Sequence, residues 1–73
     1  MAETQNRVEV AKATLMGCFD DRGLASNRSA LNRARDKFSY EHLLSASAEL
    51  ILGGKIEIYT ETPTEIVCKR LEL

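Results

Sequence analysis

The stretch 38–58, FSYEHLLSASAELILGGKIEI, constrains the chain more than any other. Ser39 stands where a helix cap belongs, and Glu41 falls in the first turn, where the helix dipole favours an acid. Leu43, Ser47, Leu50 and Ile51 recur at three- and four-residue spacing, with Leu44, Ala48 and Leu52 widening the apolar stripe. This predicts an amphipathic helix over 39–52. Gly53-Gly54 supplies the positive-φ residue that ends helices. Lys55 to Thr60 then alternates polar and apolar, as a half-buried strand does. A helix, a glycine stop and a strand in immediate succession call for other elements to cover their apolar sides.

The flanking segments supply them. Val8, Ala11, Leu15, Cys18 and Phe19 follow a helical period, so a first helix is expected over 7–20, with residues 1–6 polar and frayed. Asp20-Asp21-Arg22-Gly23 is a stop, and Leu24-Ala25-Ser26 is short and extended at best. Ser26 or Asn27 caps a second helix over 27–36 with Ala30, Leu31 and Ala34 facing inward. Asp36-Lys37-Phe38 leaves room only for a turn, with Phe38 as a plug. Two helices about a tight turn make a helix-turn-helix candidate.

After the strand at 55–60, Pro63 suits the second position of a turn, and 65–71 returns as a strand. A hairpin centred on 62–63 pairs Ile58 with Val67 and Tyr59 with Ile66. It turns Ile56, Ile58, Val67 and Leu71 toward the helices. The expected fold is α+β: a single domain over 1–73, three helices followed by a C-terminal β-hairpin.

Composition excludes several classes. The formal charge of −1 removes the argument for nucleic acid from net charge alone. No apolar run is long enough to span a membrane. Two cysteines, Cys18 and Cys68, make neither a disulfide framework nor a zinc site, and read as free thiols in a reducing cytoplasm. No Ser/His/Asp grouping suggests a triad, and Leu52-Gly53-Gly54-Lys55 is too short for a phosphate loop. Neither an enzyme nor a cofactor or metal site is expected.

The order helix, short extended piece, helix, helix, hairpin is that of a winged helix-turn-helix domain. Segment 23–59 resembles the DNA-binding domain of the LexA repressor family in Gly23, Arg28, Ser39, Leu50, Gly54 and the run Ile56-Glu57-Ile58. About half the chain is covered, mostly by fold-determining residues. The resemblance implies a third helix that enters the major groove and a hairpin, the wing, that touches the backbone. The self-cleaving protease half of that family has no counterpart, so no peptidase chemistry carries over.

On that template two functions are open. The first is a small DNA-binding transcriptional regulator in the cytoplasm. Four bases against one acid between Arg28 and Lys37 give a local charge of +3. Arg28, Asn32, Arg33, Arg35 and Lys37 would then hold the phosphates of double-stranded DNA, while Ser39, Tyr40, His42 and Ser45 read bases. The second is a winged helix used as a protein-interaction module. The wing carries Glu57, Glu61 and Glu65 and no base until Lys69, and helix three offers no arginine for guanine. Tyr59 and Ile66 would form a contact patch on the hairpin for a second protomer or another protein. A continuous positive band over helices two and three favours the first function, and a broken band the second.

Overall fold

The computed structural model describes residues 2–71, with side chains from Gln5 onward. The chain runs α1 (Ala2–Met16), β1 (Leu24–Ser26), α2 (Asn27–Ala34), α3 (Tyr40–Leu52), β2 (Ile56–Glu61) and β3 (Ile66–Arg70). Three helices pack on one antiparallel sheet of order β1-β3-β2. This is the expected α+β arrangement with one addition. Leu24-Ala25-Ser26 is a full member of the sheet and covers the far edge of β3, with Ala25 opposite Cys68.

Helix α1 starts and stops earlier than its apolar period indicates. Residues 2–6 are helical rather than frayed, and Met1 lies outside the described residues. The polar opening contains good helix formers, and Gln5 donates to Glu9 one turn on (2.9 Å). At the other end Gly17 donates to the carbonyls of both Ala13 and Thr14, and the chain leaves the helix. Cys18 and Phe19 still pack against the core from the following turn. The Asp20 carboxylate accepts the amides of Arg22 (2.8 Å) and Leu24 (3.0 Å), closing that turn. These backbone bonds hold its pKa below the ordinary aspartate value.

Helix α2 is capped by Ser26, whose hydroxyl accepts from the Arg28 amide. Helix α3 carries a capping box: Ser39 accepts from the His42 amide, and the His42 ring accepts from the Ser39 amide. Its other end is a Schellman closure. Lys55 N donates to the Leu50 carbonyl and Gly54 N to that of Ile51, with Gly54 at φ +73°.

The hairpin differs from the expected register. Its turn closes between Thr62 and Glu65, whose amides and carbonyls bond to each other, so it centres on Pro63 and Thr64 rather than on 62–63. Glu61 therefore pairs with Ile66 and Thr60 with Val67. A bulge at Tyr59 then changes the register, so Ile58 pairs with Cys68 and Ile56 with Arg70. The consequences for facing are direct. Ile66 and Cys68 turn toward the helices, in place of Val67.

The core joins Val8, Ala11 and Leu15 of α1 to Ala30, Phe38, Leu43, Ala46, Leu50, Ile56 and Cys68. Alanines at the helix contacts let the helices approach closely, and Phe38 fills the corner between α2 and α3. Each fully buried leucine contributes about 1.5–3 kcal/mol relative to leaving it in water.

Candidate functional site

The residues expected to contact DNA do not form one surface. Arg28 lines a hollow with Tyr40 and the hairpin tip, where Glu61 and Glu65 also stand. Asn32 lies exposed on α2 and Arg35 exposed at its C-cap, where the guanidinium donates to the Asn32 amide oxygen at 3.5 Å. Arg33 points to the opposite side. Its guanidinium donates to the Gly17 carbonyl (2.9 Å) and to Cys18 Sγ (3.6 Å), pinning α2 to the end of α1. Lys37 lines the same α1–α2 hollow as Arg33. The local charge of +3 is thus divided among the hairpin tip, the outer face of α2 and the seam with α1.

On α3 the proposed base readers are largely occupied. Ser39 and His42 serve the capping box, with Ser39 Oγ 2.9 Å from His42 Nδ1. The Tyr40 hydroxyl accepts from Asn27 Nδ2 (3.4 Å). Ser45 is exposed and free to make contacts. Glu41 is exposed, and Glu49 pairs with Lys12 of α1 at 2.8 Å. Lys12 also meets Glu9 at 3.2 Å. Pairing first with Glu49 raises the Lys12 pKa, and the bond from Lys12 lowers that of Glu9. Helix α3 contains no lysine or arginine at all. The positive band is broken.

The Tyr59–Ile66 patch is also corrected. The bulge removes Tyr59 from cross-strand pairing, and Ile66 sits opposite Glu61. Ile66 packs against the core, while Tyr59 shares an outer hollow with Thr60 and Val67.

A different apolar surface stands where α3 meets the hairpin. Leu44, Ala48 and Ile51 of α3 face Ile58 and Ile66 across a hollow of about 160 Å³, with Cys68 at its floor. Leu44 is 42% exposed, Ile58 49%, and Leu52 at the helix end 87%. Asn27 borders this hollow and is buried; its amide oxygen accepts from the Ile66 amide at 3.1 Å. It fixes the start of β3 against both α2 and α3. Cys68 packs in the core, and burial pushes its thiol pKa up.

One sequence signal pointed to this surface. The α3 stripe is wider than one core-facing side requires. Leu43, Ala46 and Leu50 satisfy the core, and Leu44, Ala48, Ile51 and Leu52 are surplus.

Among the described residues no helix is long and apolar enough to cross a membrane, and no group of three His, Cys, Asp or Glu is placed to hold a metal ion. Comparison with family models, with curated proteins and with solved structures finds no match.

Proposed function

We propose that the chain is a winged-helix protein-interaction module, and that its contact surface is the outer side of α3 together with the hairpin. The observation that carries this reading is the exposed side of α3. It presents Leu44, Ala48, Ile51 and Leu52, flanked by Glu41 and Ser45, and no base. Apolar side chains left in water at contiguous positions are the usual mark of a protein contact. They offer nothing to a phosphate backbone, and the acidic hairpin tip would repel one.

A second reading, a small DNA-binding transcriptional regulator, is favoured by Arg28 and Asn32 exposed on α2 and Arg35 exposed at its C-cap. Fluorescence anisotropy with a pool of duplexes in low salt separates the two. The interaction reading expects no binding up to roughly 10⁻⁴ M protein, a range in which even non-specific DNA binders associate. Tighter binding that falls steeply with salt, and whose sequence preference is lost in Ser45→Ala, would establish the regulator instead.

A further inference from the structure

We infer that the partner seated on this surface is a second copy of the same chain, with two α3 helices antiparallel about a two-fold axis at Ala48. The inference rests on the interaction reading and names its occupant.

Three features of α3 make its outer side complementary to itself. Leu44, Ala48 and Ile51 are spaced by four and then three residues, the interval of a coiled-coil seam. The central member is an alanine, so two backbones can approach closely on the axis. Each copy also has both a knob and a hole. Leu52 projects into solvent as the most exposed large apolar side chain, and the hollow lined by Leu44, Ala48, Ile51 and Ile58 has room for about one leucine. In an antiparallel pair, residues equally far from Ala48 in opposite directions meet. Leu52 of each copy then enters beside Leu44 of the other.

Charge gives the same answer. Glu41 lies at the start of α3 on its outer side, and Lys55 stands just past the Gly53–Gly54 stop. Both are exposed, and neither makes an ion pair among the described residues. They too are equally far from Ala48 along the chain, Lys55 lying just past the helix end. The antiparallel arrangement sets Glu41 of one copy against Lys55 of the other at both ends of the seam, whereas a parallel pair would set Glu41 against Glu41. An isologous contact must be complementary to itself, and this one is.

Sedimentation equilibrium tests the inference on the whole chain. At roughly 100 μM, far above the Kd of about 1 μM that a modest interface gives, the expected mass is twice the 8.1 kDa of one chain. Leu52→Asp should be monomeric with an unchanged circular dichroism spectrum, because Leu52 carries no core contact. Glu41→Lys or Lys55→Glu alone should weaken the dimer about tenfold, and the two together should restore it. Ala48→Cys in a Cys18→Ser background should form an interchain disulfide under mild oxidation. A wild-type monomer at that concentration, or a double charge swap that restores nothing, overturns the inference. The companion duplex titration tells the two failures apart. A monomer that ignores DNA removes the second copy and leaves an interaction module, whereas a monomer that binds duplex through Ser45 removes both.

Discussion

Along its edge toward α1, helix α3 buries Leu43, Ala46 and Leu50 and ties Glu49 to Lys12. Along its edge toward the hairpin it leaves Leu44 and Ile51 more than a third exposed. The two edges have similar apolar content, so composition does not separate them. Their neighbours do. A helix of 15 residues runs beside the first edge. A strand leaves the second: Ile56 is 1% exposed where β2 departs from the glycine stop, and Ile58, two residues on, is 49% exposed. The bulge at Tyr59 continues that divergence, since a bulged strand bends and twists. One edge of α3 is spent on folding, and the other is left exposed to solvent, where the proposed reading seats a partner.

The largest effect should come from the folded edge. Leu50→Ala removes a buried side chain and should cost about 2–5 kcal/mol in urea unfolding. Leu44→Ala, measured at concentrations low enough to keep the chain monomeric, should cost under about 1 kcal/mol. Equal costs would show that both edges serve the core.

A second effect sharpens the boundary where β2 departs. Gly54 sits at φ +73°, so Gly54→Ala should cost about 1–2 kcal/mol through backbone strain alone, nothing standing within 4 Å of the added carbon. An unchanged unfolding midpoint would mean that the stop does not depend on a left-handed residue.

The loop from α1 into β1 gives a pH-dependent control remote from both edges. Asp20 has its folded pKa below the unfolded value near 3.8. Its contribution is therefore fully present above that pH and is lost as pH falls through the lower folded value. Asp20→Asn should flatten the stability profile in that acid window and leave the profile above about pH 5 nearly level, since carboxylates are ionised there. An unaltered acid limb would contradict the carboxylate's role in closing the turn.

The smallest effect belongs to the ion pair between α1 and α3. Lys12 and Glu49 are close but solvated, so a double-mutant cycle should give a coupling near the limit of detection that disappears in high salt. A large coupling insensitive to salt would mean that polar contacts, rather than Leu43 and Leu50, seal that edge.

Much of the fold was legible in the sequence because its signals were local. The caps at Ser26 and Ser39, the Gly53–Gly54 stop and the Phe38 plug each depend on a few adjacent residues. The hairpin register was not legible, because moving the turn centre by one residue shifts the pairing by two and keeps the faces, whereas the one-residue bulge at Tyr59 exchanges the face of β3 that lies beside Ile56 and Ile58. That exchange is why Ile66 and Cys68 face inward and why the Tyr59–Ile66 patch dissolves. The candidate site was only half legible. The width of the apolar stripe on α3 is written in the sequence, but which part is surplus depends on where α1 and β2 lie. Arg33 likewise reads as one of four clustered bases until the end of α1 comes within hydrogen-bond distance of it.

The central claim is that the outer side of α3 contacts protein and not DNA. Methyl and amide NMR of one sample, first diluted and then titrated with duplex, tests it most directly. The account expects the methyl signals of Leu44, Ile51, Leu52 and Ile58 to move together on dilution, and the amides of His42 and Ser45 to stay still as duplex is added. Methyl signals that ignore dilution, with His42 and Ser45 shifting on duplex, would contradict it.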